Sequence, residues 1–549
     1  MRGGGVILKK NVISAIVFFM NNSKKITFKI YDIVTFITRW GLAIFAGLLF
    51  LTAFFFEAYA LNMDTQEVLI RRDNVLIQGL VILIFIAFMF LIRKCTKKHE
   101  DTFLKIQFYV TLAWIFGAGV FFIFFAKSVC GADPMIVFKM AESVAAGDLS
   151  VIDPVNSYLS YYPHQIGLMT FYVPFIKVWN LLGISAPIYH AFKMLNIVAA
   201  VLIVYFQFTG LRLIVKAKSE FILNAYLFLA GLFLPFIMYT SYVYGEVLSI
   251  FFMTGASYFA IRLIKNLDET GIKKNTILYS IAIVIFSAFS VYMRKNSLIF
   301  IIALSAVLLF EYMRVKKVSV LVSVLLAVSL SLVLQPLTIK IYEAKSGNKL
   351  ASGVTAMSYL AMGMQESDRG NGWYNSFNFT TYEESGLDSK VANEVSKAAI
   401  AERKAYFKAN PKEARKFYFD KYLSMWADGT YFSRQATLSA YGRSDYAWDF
   451  YNGVKANYYI YYCNLFQSVM FFGVFAGLIY LIIKKEKRLY CFIPFITVFG
   501  IFLFHMFWEA NSRYVFPAAV LMLPYAGVGI GKVTEGLNKL FSKKRGMDE

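Results

Sequence analysis

Residues 276–338 read TILYSIAIVIFSAFSVYMRKNSLIFIIALSAVLLFEYMRVKKVSVLVSVLLAVSLSLVLQPLT. Two turns, RKN at 294–296 and RVKK at 314–317, cut this stretch into three runs that are almost wholly apolar. Each run is close to the ~20 residues a helix needs to cross a bilayer core. Backbone groups find no water at that depth, so such runs are helices whose N–H and C=O groups bond internally. If all three cross, the two turns lie on opposite faces of the membrane.

The same reading extends in both directions. Apolar runs near 36–57, 73–93, 104–126, 186–213, 221–240 and 244–263 precede the three, which fall at 276–293, 296–313 and 318–338; runs near 457–483, 489–507 and 514–531 follow. With the N-terminus inside, the inner segments carry Lys9, Lys10, Lys24, Lys25 and Lys29, then Arg93, Lys94, Lys97 and Lys98. Lys216 and Lys218, Lys273 and Lys274, and Arg314, Lys316 and Lys317 come next. Lys484, Lys485, Lys487 and Arg488 precede Lys543, Lys544 and Arg545 in the tail. Every inner connection is basic, as the positive-inside rule requires. The expectation is an all-α polytopic membrane protein of about twelve spans in the plasma membrane, with both termini cytoplasmic.

Composition agrees. The chain of 549 residues is 58% hydrophobic, 18% aromatic and 16% charged, whereas soluble domains are about half apolar and a quarter charged. The net charge of +22 sits in short clusters between apolar runs, so it reflects topology and indicates no nucleic-acid partner. Cys95, Cys130, Cys463 and Cys491 lie far apart, without CxxC or metal-type spacing. The N-terminal apolar run has basic flanks and no small-residue cleavage site, and reads as an interfacial helix rather than a signal peptide.

Residues 163–183 (PHQIGLMTFYVPFIKVWNLLG) are apolar but contain Pro163, Pro174 and Lys177. Counting them as a span would invert every later loop, so they read as an interfacial or re-entrant helix on the outer side. The organisation expected is a leading segment with two helices (1–103), a core bundle (104–338) with an outer loop at 127–185, an outer domain (339–456), and three last helices with a basic tail (457–549). The outer domain reads as mostly helical, with helices over 386–409 and 411–427, the second opening at Pro411.

Five clusters carry candidate chemistry, all on the outer side. Asp133 lies just beyond the third helix, followed by Tyr162, His164 and Gln165; before Pro134 it also reads as a helix N-cap. Tyr244 and Glu246 occupy a tight turn, where an acid between spans is costly unless paired or working. Arg294 and Lys295 run against the positive-inside bias and suit a phosphate. Glu509 and Arg513, four apart, form an internal ion pair if their turn is helical, or else Arg513 faces a phosphate. In the outer domain, Trp373 has the type of ring that packs on a sugar face, though Trp is also an ordinary membrane-interface residue. Transporters place charge mid-helix instead; little is found there. The pattern suits an enzyme at the outer surface acting on a lipid with a phosphate headgroup.

The order of motifs resembles the C-type (GT-C) membrane glycosyltransferases that use polyprenyl-phosphate sugars, a group including protein mannosyltransferases and the lipid A aminoarabinose transferase. Asp133, then YYPHQIGL (161–168), FKMLNIVAAVLIVYF (192–206), YGE (244–246), MRKNSLI (293–299) and WEANSRY (508–514) carry it, over most of the chain from about residue 104. The resemblance implies a GT-C-like bundle. It implies transfer of a sugar from an undecaprenyl- or dolichyl-phosphate carrier to an envelope glycan, lipid or protein acceptor. By position, Asp133 matches the general base, Arg294, Lys295 and Arg513 the phosphate-holding groups, and Glu246 a second acid or, where metal is used, a ligand. Tyr162, His164, Gln165, Tyr244, Trp373 and Glu509 are then substrate-contact candidates. GADP (131–134) lacks a clear DE or DxD pair, which leaves a divalent metal open and no other cofactor indicated. The alternatives are an envelope glycan ligase or polymerase using pyrophosphate-linked donors, and a flippase or transporter of lipid-linked sugars.

Overall fold

The protein was analysed as a computed structural model, which describes residues 4–61, 66–215, 220–270, 274–438 and 442–545. Side chains before 29 and after 540, and those at 220, 270 and 274, are outside the description. Lys9, Lys10, Lys24, Lys25, Lys216, Lys218, Lys273, Lys274, Lys543, Lys544 and Arg545 therefore lie outside the described side chains.

The chain is an all-α polytopic membrane protein. Ten helical stretches among the described residues are long and apolar enough to cross a membrane. The longest, Val75–Ala126, is two helices, Val75–Thr96 and Glu100–Ala126, separated by a turn at Lys97–His99. A shorter apolar helix, Glu220–Leu232, breaks at Phe233 and restarts as Leu234–Tyr239 with Pro235 in its first turn, where a missing N–H costs nothing. Each expected span thus has a helical counterpart.

Residues 163–183 form a turn at Pro163–Gln165 and a helix, Ile166–Leu181, that is too short to span the bilayer alone. It packs on the Ala132–Ala145 helix and beside Lys274–Met293 and Val318–Ser346.

The bundle has two chemically different ends. At one, Arg314 pairs with Asp268 (2.9 Å), Lys487 with Asp32 (3.0 Å) and Arg93 with Glu535 (3.8 Å). This is the basic end. The opposite end carries the helices between 347 and 453, including Ser389–Ala409 and Pro411–Trp426, whose first residue is Pro411 as the sequence predicts. Trp426 sits edge-on to Phe45 at 5.9 Å and near Phe502 at 6.1 Å, within the main core of the bundle.

The first helix ends at Phe55, short of the expected 57. Phe56–Ala60 then pairs antiparallel with Val68–Arg72. Hydropathy does not reveal this hairpin, because its order comes from distant partners. Ala58 N donates to Ala427 O (3.0 Å), Val68 N to Arg369 O (2.9 Å), and Asn464 Nδ2 to the buried Glu57 (2.8 Å).

Candidate functional site

Glu246 is the first residue of the helix Glu246–Thr270 and is only 3% exposed. The YGE turn brings it there through Gly245, whose φ of +89° disfavours a side chain. A Cβ on Gly245 would also lie 3.0 Å from Met293 O, so the turn needs a glycine to approach the end of the Lys274–Met293 helix. Arg294 follows that helix, and its Nη2 lies 3.1 Å from Glu246 Oε1. From the last turn, Arg513 Nε comes within 4.0 Å of the same oxygen. Three turns far apart in sequence thus place two guanidiniums on one carboxylate.

The pairing is incomplete. Both carboxylate oxygens of Glu246 and Nε of Arg513 are buried without an aligned hydrogen-bond partner. Glu246, Arg294 and Arg513 line a cavity of about 40 Å³ together with His505 and Tyr514. Arg294 lies 4.6 Å over the Tyr244 ring, and Arg513 Nη1 donates to Tyr242 OH (2.5 Å). His505 stacks on Tyr514 with centroids 4.8 Å apart, and its Nδ1 contacts Glu509 O at 2.9 Å.

Asp133 joins through Tyr244. Its Oδ2 accepts from Tyr244 OH at a long 3.5 Å, while that hydroxyl accepts from Gln165 Nε2 at 2.8 Å and meets Tyr158 OH at 3.4 Å. Burial first, and then Asp133, push the Tyr244 phenol up, so it stays protonated as a donor. Asp133 is exposed and does not line the cavity; it stands one tyrosine away. The N-cap reading is corrected: Gly131 caps the Ala132–Ala145 helix, and Asp133 sits in its first turn, where a helix N-terminus favours negative charge. Tyr162 and His164 flank this group, with rings 6.2 Å apart. Burial first, then Lys295 and Arg294, hold the His164 imidazole below its usual range. Gly167 allows this segment to close in, since a Cβ there would meet Tyr292 O at 2.3 Å.

Three expectations change. Residues 508–511 are not helical, so Glu509 and Arg513 do not form a helical i,i+4 pair; Arg513 turns to Glu246 and Tyr242 instead. Glu509 is buried, and burial lifts its carboxyl to about 7 against the opposing pull of Arg513 and Tyr514. Lys295 is exposed and is not among the residues lining the cavity. Trp373 is 1% exposed and donates Nε1–H to Ser424 Oγ (2.9 Å); its ring is core and presents no face to a sugar.

Several residues around the site escape a reading by type and spacing. Asp428 accepts from Thr430 N and Oγ1, Phe432 N and Ser512 Oγ, and so anchors the turn that carries Arg513. Lys421 is fully buried and donates to Gly363 O (2.5 Å) and Trp508 O (2.7 Å). Burial pulls its ammonium down to about 7. In sequence it looks like a solvated lysine in the charged run KEARKFYFDK (412–421). Tyr158 likewise has no signal beyond being one of several tyrosines.

Among the described residues no three His, Cys, Asp or Glu side chains cluster as metal ligands. Glu246, the acid proposed for that role from the resemblance, faces two guanidiniums, and a cation placed there would be repelled by both. The residues present do not fit a metal at Glu246.

No family model matches the chain, and no curated protein matches its sequence. Among solved structures it is similar to the archaeal oligosaccharyltransferase AglB from Archaeoglobus fulgidus, in complex with an inhibitory peptide and a dolichol-phosphate. The identity is 11% and the TM-score 0.42, over 82% of this chain and 52% of that one. The chain therefore spans about half the length of that protein, and none of the site assignments above rests on the likeness.

Proposed function

We propose that the protein is a membrane glycosyltransferase that moves a sugar from a polyprenyl-phosphate carrier to an acceptor at the outer face, where the segment between 347 and 453 lies. The observation that carries this is a charge count. Arg294 and Arg513 share one buried carboxylate, Glu246, leaving a surplus of one positive charge beside a cavity. A sugar phosphodiester of a lipid carries one negative charge, and Arg forks suit its oxygens. A pyrophosphate donor carries more charge than this surplus offsets.

In the step inferred, the acceptor oxygen attacks the anomeric carbon. The bond from that carbon to the phosphate oxygen breaks, and its electron pair stays on the phosphate. The acceptor proton passes to Asp133. The phosphate gains charge as the bond breaks, and preorganised guanidiniums stabilise that gain most. Glu246 is then the counter-ion that holds both arginines in place, and Tyr244 positions Asp133. Gln165, Tyr162, His164 and Glu509 are the remaining candidates for contacts to the sugar or the acceptor.

Purified protein supplied with polyprenyl-monophosphate and polyprenyl-pyrophosphate sugars tests the reading. New glycosidic product from the monophosphate donor is expected, and Asp133→Asn is expected to lose it while still inserting into the membrane. Undiminished transfer by that variant removes Asp133 from the mechanism. Transport across vesicles without a new covalent bond favours a flippase and overturns the enzymatic reading.

A further inference from the structure

At the basic end, away from the site above, lies a second and larger cavity of about 360 Å³, within the size range of small-molecule sites. Leu211, Ile214, Ile222, Ile261, Leu521 and Val528 supply much of its wall. Its polar wall atoms are mostly satisfied. Pro524 cannot donate to the Val520 carbonyl one turn back, and Gln207 Nε2 donates there instead at 2.8 Å. Ser257 Oγ donates to Met253 O (2.9 Å), whereas Thr254 Oγ1 is buried without a partner. The chamber is therefore apolar in character.

The KKEKR turn at 484–488 forms part of its wall, with Lys484, Lys485 and Lys487 exposed. Arg488 is neutralised by Glu486 (2.7 Å) and Lys487 by Asp32 (3.0 Å). Lys484 and Lys485 are exposed and have no carboxylate partner among the described residues. An apolar chamber beside two uncompensated ammonium groups matches one kind of occupant: a molecule with an anionic head and a hydrocarbon tail. Basic pockets between membrane helices on the cytoplasmic side recognise such headgroups, and the positive-inside rule assigns this end to that side.

We propose that this chamber binds an acidic glycerophospholipid of the inner leaflet, with the headgroup phosphate on Lys484 and Lys485 and an acyl chain in the chamber. The lipid bridges the Val454–Ile483 and Phe516–Arg545 helices to Ile188–Ile214 and Glu246–Thr270.

Full-length protein in detergent, titrated with phosphatidylglycerol or phosphatidylcholine and read by native mass spectrometry and thermal unfolding, tests this. One retained phosphatidylglycerol and a raised unfolding midpoint are expected, with little of either from phosphatidylcholine. Lys484→Gln with Lys485→Gln should lower phosphatidylglycerol affinity about tenfold or more, from about 1 kcal/mol per basic residue near the headgroup. Thr254→Leu, which fills the chamber and breaks no hydrogen bond, should reduce retention of the same lipid with the lysines intact. Unfolding midpoints of both variants in lipid-free detergent show that each is folded. Unchanged phosphatidylglycerol binding by both variants, or equal retention of phosphatidylcholine by the wild type, overturns the proposal. Displacement of the phospholipid by an equal or lower concentration of polyprenyl phosphate reassigns the chamber and overturns it too.

Discussion

Replacing Glu246 by Gln separates a counter-ion from a catalytic acid. The carboxylate lies 3.1 Å from Arg294 and 4.0 Å from Arg513. At an effective dielectric near 20, these separations correspond to about 5 and about 4 kcal/mol of gross attraction. Removing one partner of a buried pair costs about 3–5 kcal/mol net, so the unfolding midpoint of Glu246→Gln in detergent should fall clearly. Binding should move the other way. A phosphate seated on Arg294 would lie ~5 Å from the Glu246 carboxylate, and about 3 kcal/mol of repulsion disappears with the charge. After reorganisation, polyprenyl phosphate should bind the variant at least ~10-fold more tightly, since ~1.4 kcal/mol is a factor of ten. Its stabilisation of the variant should likewise exceed that of the wild type. Turnover should fall because the leaving phosphate is held. The assay is equilibrium binding of polyprenyl phosphate to both proteins, beside thermal unfolding with and without the lipid. Binding that is weaker than, or equal to, that of the wild type refutes the counter-ion argument. Lost turnover with unchanged affinity would make Glu246 an acid–base group instead.

Other perturbations read other parts of the site. Tyr244→Phe keeps the ring under Arg294 and removes the hydroxyl that meets Asp133. It should lower kcat by about 5–10-fold, near 1 kcal/mol of hydrogen bonding, with KM for the lipid donor little changed; a rise in KM alone contradicts the positioning role. Gly245→Ala places a side chain at φ +89° and 3.0 Å from Met293 O; a loss of about 1–2 kcal/mol in stability is expected, together with weaker binding of lipid phosphate. Glu509, lifted from 4.5 to about 7, gives stability that is complete below pH 4.5 and is lost as pH rises through 7. Lys421, pulled from 10.5 to about 7, gives stability that grows as pH rises from 7 towards 10.5. Unfolding midpoints should therefore dip near pH 7, with Glu509→Gln flattening the acidic limb and Lys421→Met the basic one; unchanged pH profiles in both variants contradict these environments.

The spans were legible because a bilayer imposes one length and one polarity on every crossing, and basic turns such as RVKK at 314–317 report the side. The same charge count kept 163–183 from being read as a crossing, and Pro411 marked its helix start correctly. The acid and the bases at the turns opposite the basic end were visible as types out of place. Their pairing was not, because it depends on where turns at 245, 294 and 513 converge, and spacing along the chain carries no such information. At Glu509 and Arg513 the i,i+4 alternative depended on a helical turn, and the turn is not helical: Asn511 accepts from Arg513 N (2.9 Å) and starts the next turn instead. Trp373 reads as a candidate sugar contact, and Lys421 gives no signal at all. The aromatic is core, and the lysine, set in a charged run whose pattern says nothing of burial, is a buried donor to two carbonyls.

The charge arrangement also explains why this site does not simply close on itself. Native proteins leave few buried polar groups without partners, yet Glu246 Oε1, Glu246 Oε2 and Arg513 Nε are unaligned at one point. A second carboxylate there would satisfy the arginines and erase the surplus charge. Glu509, the other acid that feels Arg513, is lifted by burial to about 7 and offsets that charge only in part. The remaining neighbours are aromatic: Tyr242, Tyr244 and Tyr514 lie within 6 Å of the Arg513 guanidinium carbon, and Tyr239 stacks on Phe516 at 3.8 Å behind them. Ring faces hold guanidiniums in place without neutralising them. The stability lost to incomplete pairing therefore persists in the unliganded protein, and an arriving phosphate can recover it. That recovery has a sign a merely structural ion pair lacks: lipid phosphate should stabilise the protein more when Glu246 is neutral than when it is charged.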